Sequence, residues 1–205
     1  MAEIIVGLIG VLAGSFIAGY KEIWLDRVRR KKGKEHLAIQ VVCTFDSFIQ
    51  RCADVAKDDG TYHGQLNKDG RAVAQVELPE FKLPEKDVNW QLLPVQTMYD
   101  VLSFPNSIDY SNQLIDAAFE LSDLPDFDIG FEERQYQYAK LGILASSIAT
   151  QLRKECALPD IEYVEWNPVE TLVNQKASIE EARERQYEAQ KKLFESIEND
   201  TADEE

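Results

Sequence analysis

The sequence predicts a mainly α protein: a single N-terminal transmembrane helix, an all-α soluble domain with room for a short β-hairpin, and a polar C-terminal helix. Three observations carry that reading. Residues 4–20, IIVGLIGVLAGSFIAGY, contain no charge. Beyond Lys34, apolar residues recur at the i, i+3, i+4 spacing of an amphipathic helix. The stretches between these runs carry clusters of Gly, Pro, Asn and Asp that punctuate a chain, as at residues 58–70 and 79–89.

The anchor comes first, within residues 1–25. Seventeen uncharged residues make a helix of about 25 Å, and Ile23, Trp24 and Leu25 extend it toward the roughly 30 Å of a hydrocarbon core. Tyr20 and Trp24 suit the interface, where Lys21 can snorkel. The span is thus placed at residues 4–24. A cleaved signal peptide needs positive charge ahead of its apolar stretch, and only Met1, Ala2 and Glu3 stand there. The positive charge follows instead, in Arg27, Arg29, Arg30, Lys31, Lys32 and Lys34. The positive-inside bias then puts the N-terminus out and the C-terminal domain in the cytoplasm of a bacterial-type inner membrane. These six residues also offer contacts to anionic lipid.

Gly7, Gly10, Gly14 and Ala18 fall on one stripe about 80° wide at 100° per residue, with Gly10 and Gly14 in a GxxxG. Such a stripe fits close packing against another span, in a homo-oligomer or a membrane-protein partner.

Residues 26–57 join the basic stretch to a long amphipathic helix. Its face is Leu37, Ala38, Val41, Val42, Phe45, Phe48, Ile49, Cys52, Val55 and Ala56, with a bend expected at Gly33. Residues 58–167 complete the domain core. Gly60, Gly64, Asn67 and Gly70 mark a loop, the hairpin would turn at residues 67–70, and Pro79 and Pro84 hold the chain extended. A short helix follows at Trp90, then one from Pro94 to Leu102, a break at Phe104-Pro105-Asn106, and another helix to Leu121. Residues 131–156 form the next helix, capped by Asp126 or Asp128, and a connector runs over 157–167. Pro168 opens the polar helix 168–198, whose seam is too polar at Gln186 for a coiled coil. Residues 199–205 read as a disordered acidic tail.

Charge limits the partners. The 205 residues carry a net −15, but 35–205 hold fifteen Lys/Arg against thirty-four acids, a net of −19. A domain this acidic repels phosphate backbones, so nucleic acid is not an expected partner. Cys43, Cys52 and Cys156 are too few and too scattered for a disulfide framework, and read as buried small residues. His36 and His63 have no His or Cys at ligand spacing, so no metal or cofactor is expected. The carboxylate pairs Asp58/Asp59 and Asp126/Asp128 could meet a cation but lack the spacing of a calcium loop. No nucleophile elbow, phosphate loop or GxGxxG is present. The expectation is therefore a membrane-tethered interaction or scaffold protein that touches lipid, binds a protein through its helical domain, and has no catalytic residues. The alternatives are a tethered enzyme whose site assembles only in the fold, or a small membrane-active protein.

Overall fold

A computed structural model describes residues 2–86, 88–123 and 127–202, with side chains described over 21–86, 88–123 and 127–195. Among these residues the chain is all helical, with four α-helices and no strand. They are α1 (Ala2–Lys57), α2 (Val95–Leu121), α3 (Asp128–Cys156) and α4 (Pro168–Ala202), with a 3₁₀ turn at Trp90–Leu92.

The third helix is the axis of the bundle, and the other three run antiparallel to it. Lys34 of α1 meets Glu155 while Asp58, just past α1, meets Arg134. Thr97 of α2 meets Glu155 while Ser111 meets Gln137. Leu172 of α4 lies against Gly142 while Arg183 reaches Glu132 and Glu133. A Cβ on Gly142 would stand 2.6 Å from Leu172 and 3.0 Å from Cys52, so the missing side chain lets α1, α3 and α4 close on one another.

The predicted face of α1 is the core. Leu37, Ala38, Val41, Val42, Phe45, Phe48, Ile49, Cys52, Val55 and Ala56 are all buried. The helix is continuous through the expected bend at Gly33, and that glycine instead marks a close approach, 3.0 Å between Leu92 Cδ1 and the place a Cβ would occupy.

Several expectations need correction. The break at Phe104-Pro105-Asn106 does not occur, and α2 runs unbroken with Pro105 inside it. A proline in a helix interior costs about 3 kcal/mol. Here the neighbouring Phe104 is buried in an aromatic cluster with Phe45, Phe48 and Phe81, its ring centroid 5.0, 5.4 and 4.8 Å from theirs, so packing outweighs the local preference.

The hairpin at residues 67–70 does not form either. Only an isolated bridge joins Tyr62 and Gln65. The Asn67 side chain takes the N–H groups of Asp69 and Arg71, while the N–H groups of Gln75 and Val76 go to the Asp58 carboxylate, which leaves no ladder to build.

The N-cap of α3 is Phe127, in the left-handed region, with Asp128 in the first turn; Asp126 lies outside the described residues. Cys43 is exposed while Cys52 and Cys156 are buried, because nine residues of helix put Cys43 and Cys52 on opposite faces and only one face is packed. The backbone of α4 is helical to Ala202, into the stretch expected to be a disordered tail, where no Gly or Pro interrupts it.

Tyr138 is almost wholly buried and donates to Asn112 Oδ1 at 3.0 Å. Burial first, and the Cys52 sulfur second, push its hydroxyl up to about 12. The neutral form is the one the fold stabilises, so this contribution is intact below about pH 10, the ordinary phenol value, and disappears as pH rises through 12. Chemical denaturation between pH 9 and 12 should therefore show wild type losing more stability than Tyr138→Phe, which has no proton to lose there. Equal alkaline loss in both proteins would place the titrating group elsewhere.

Candidate functional site: a basic stalk, a pinned loop and an open groove

Although α1 is a single helix of 56 residues, about 84 Å long, its first buried residue among the described side chains is Leu37. Everything described ahead of it is exposed or half-buried, including Ile23 and Trp24. Residues 21–32 thus leave the bundle as an unaccompanied rod. At about 100° per residue, Arg27, Arg29, Arg30, Lys31, Lys32 and Lys34 point to all sides of the rod and make a basic collar. An interfacial helix lying flat on a membrane would carry such residues on one face.

At the base of the rod, Lys34 Nζ donates to the carbonyl oxygen of Glu155 at 3.1 Å, a cation on the negative end of α3. The Glu155 carboxylate turns inward, accepting from Thr97 at 2.8 Å and from Gln151 at 3.1 Å.

The predicted anchor at residues 4–24, with its stripe of Gly7, Gly10, Gly14 and Ala18, lies outside the described side chains up to Tyr20. Among the described residues no helix is long and apolar enough to cross a membrane. From Lys21 onward α1 is charged or amphipathic, so this finding concerns the bundle and the collar.

The opposite end is organised by a buried ion pair. Arg134 NH1 donates to Asp58 Oδ2 at 2.9 Å, with side-chain exposures of 5% and 1%. Asp58 also accepts from the N–H groups of Gln75 at 2.8 Å, Val76 at 2.9 Å and Gly60 at 3.0 Å, and Arg134 NH2 donates to the Val76 carbonyl. One carboxylate therefore gathers the start and the middle of a long loop onto α3. Gly60 has φ +78 and faces the Phe131 ring, where a Cβ would come within 2.3 Å, so only glycine fits this turn. With both oxygens engaged by N–H donors, Asp58 is a structural acceptor and not a cation ligand. Its neighbour Asp59 is held below the usual carboxylate range by the Thr61 hydroxyl first and the Thr61 N–H second.

Among the described residues no three His, Cys, Asp or Glu side chains gather to hold a metal ion. His36 and His63 are both exposed. Burial raises the Cys52 and Cys156 thiols, the opposite of an activated nucleophile.

A second, partly buried pair, Arg153 with Asp46 at 2.6 Å, ties α3 to α1; the Asp46 Oδ1 atom is buried without a hydrogen-bond partner among the described residues. Arg183 of α4 reaches Glu132 at 2.8 Å and Glu133 at 2.7 Å, and stacks over Tyr136.

Between α2 and α3 lies an open groove of about 530 Å³, lined among others by Tyr99, Ser103, Asn106, Tyr110 and Leu144. It offers hydroxyls, amides, aromatic edges and the Lys140 ammonium, a mixed polar lining that suits contact with another polypeptide. The sequence reading did not find it. Its only signal was the small polar spacing Ser103, Asn106, Ser107 and Ser111 on α2, a polar strip beside an apolar one.

Compared with known proteins, the chain matches no family model, no curated protein and no solved structure.

Breaking the Asp58–Arg134 pair should be costly from either side. Removing one partner of a buried pair leaves the other charge uncompensated, at about 3–5 kcal/mol. Arg134→Met and Asp58→Asn are each expected to lower the urea midpoint, with a double-mutant cycle showing strong coupling. Additive effects, with no coupling, would mean that the loop is held by something other than this pair.

Proposed function

We propose that this protein is a single-pass membrane tether whose helical bundle holds a protein partner on the cytoplasmic side. The observation that carries the reading is the rod: one helix runs from the apolar segment through the basic collar into the core of the bundle with no break. The uncharged tip supplies about 25–30 Å of spanning length, the collar supplies orientation and contact with anionic lipid, and residues 37–56 supply the rigid attachment. The stripe Gly7, Gly10, Gly14 and Ala18 gives the tip a face for a second span, in another copy or in a membrane partner.

The far end of the molecule is the part offered to the cytoplasm. Past Arg183 the described side chains of α4 are exposed on every side, Tyr187 and Phe194 among them, so this helix extends beyond the start of α3 at the end opposite the rod. Together with the α2/α3 groove, it gives a polar, helical surface of the kind used in protein–protein contact. The charge of the domain argues for a protein rather than nucleic acid as the partner.

Alkaline extraction of membranes checks the tether. The full chain should remain in the pellet, whereas Leu8→Lys combined with Val11→Lys should release it to the supernatant, because each charge at a span centre costs about 2.5–3.5 kcal/mol. A reporter that works only in the cytoplasm should be active when fused after Glu205. Full release of the unaltered chain at alkaline pH would reject the reading, and an active extracytoplasmic reporter would reverse its orientation.

A further inference from the structure

The end of the bundle from which the rod departs is unlike the rest of the surface. Residues 88–99, Val-Asn-Trp-Gln-Leu-Leu-Pro-Val-Gln-Thr-Met-Tyr, carry no charge in a chain of which 29% is charged. They form the 3₁₀ turn and the first turn of α2. Their outward side chains are apolar or neutral amides: Pro94 is exposed, Val95 is 79% exposed, and Asn89, Gln91 and Gln96 are exposed beside them.

We propose that this corner, residues 88–99, rests on the headgroup layer of the bilayer that α1 enters, so that the protein meets the membrane at two places. The inference rests on the tether reading and adds a second contact to it. Three contacts fix the height of the corner. Leu92 lies against Gly33 of α1, Thr97 bonds to Glu155, and Lys34 caps the same turn of α3. The corner is therefore level with the last residues of the collar.

From Trp24 to Gly33 the helix rises about 14 Å. The headgroup layer takes up about 5–8 Å of that distance. A tilt of about 20°, ordinary for a single span, acting across an interaxial distance of about 8–10 Å, lowers the corner by roughly another 3 Å if the rod leans toward it. The few ångströms that remain are within reach of the exposed Val95 and Gln91 side chains.

Residues 88–99 themselves bring no carboxylate to the membrane side. The domain from residue 35 onward is strongly acidic and would be repelled by anionic lipid. Three acids at this end are engaged, while Glu85 and Asp160 are exposed nearby. Glu155 turns to Thr97 and Gln151, Glu35 stands 3.8 Å from Lys31, and Asp100 accepts from Gln96. Lys34 and Lys154 add positive charge. A neutral corner tipped by Val95 and amides, with Lys34 and Lys154 beside it, fits a headgroup layer, where apolar and amide side chains are tolerated.

The test uses the full chain with Cys43→Ser, which leaves only the buried Cys52 and Cys156 as native thiols. An environment-sensitive fluorophore is attached singly at Val95→Cys, at Ile23→Cys in the rod, and at Tyr187→Cys on α4. Each protein is reconstituted into vesicles of phosphatidylcholine and phosphatidylglycerol containing a headgroup nitroxide lipid. The Val95 probe should be blue-shifted and quenched by the nitroxide severalfold more than the Tyr187 probe, approaching the Ile23 probe. Quenching at Ile23 with none at Val95 beyond the Tyr187 level would overturn the second contact and leave the tether standing. A blue shift at Val95 without nitroxide quenching would also overturn it, by showing that protein covers the corner. Absence of quenching at Ile23 as well would remove the tether and this inference with it.

Discussion

The burial of one face of α1 against α3 is the contact on which the rest depends. Eleven side chains from Leu37 to Ala56 lie in that core. Each large one contributes about 1.5–3 kcal/mol relative to exposure. Because the same helix continues backward without interruption into the basic rod, this packing also fixes the direction in which the bundle faces. A linker of glycine and serine would let the bundle wander relative to the segment that precedes it. A continuous helix does not, and so the corner at Val95 and the extension of α4 past Arg183 occupy opposite ends of a defined axis.

Polar interactions complete what the apolar core leaves unspecified. Apolar packing alone does not settle where a loop of more than thirty residues should lie. The Asp58 carboxylate does so by gathering Gly60, Gln75, Val76 and Arg134, and the same loop then delivers Phe81 to the ring cluster of Phe45, Phe48 and Phe104. Arg153 with Asp46, and Arg183 with Glu132 and Glu133, repeat the device between α3 and α1 and between α3 and α4. In each case an arginine fork meets a carboxylate across elements, geometry that hydrophobic contact does not enforce.

The helical face of α1 was fully legible in the sequence, because apolar side chains at helical spacing over five turns have one economical solution. The collar was legible as charge, and its all-round distribution follows from residue spacing alone. What could not be read was long-range. Arg134 and Arg153 look like surface residues of a polar helix until their partners, 76 and 107 positions away, are brought to them. Pro105 looks like a break because local preference is all the sequence displays at that point, whereas the stabilisation of Phe104 comes from α1 and from the loop. Asp58 looks like one more loop acid, and the hairpin looks plausible, because nothing in the sequence says that a carboxylate will claim the backbone donors. The groove between α2 and α3 was missed for the same reason, being a property of two helices together.

The central claim is mechanical: the segment between the uncharged N-terminal stretch and the bundle is a helix, not a hinge. Amide hydrogen exchange on the full chain in lipid nanodiscs tests it most directly, since exchange reports local opening residue by residue. The account predicts that amides across residues 26–36, Gly33 included, are protected continuously with those of residues 37–45. Exchange across residues 30–34 at the rate of an unstructured chain, with protection resuming at Leu37, would contradict it and leave the bundle free to turn relative to the N-terminal stretch of α1.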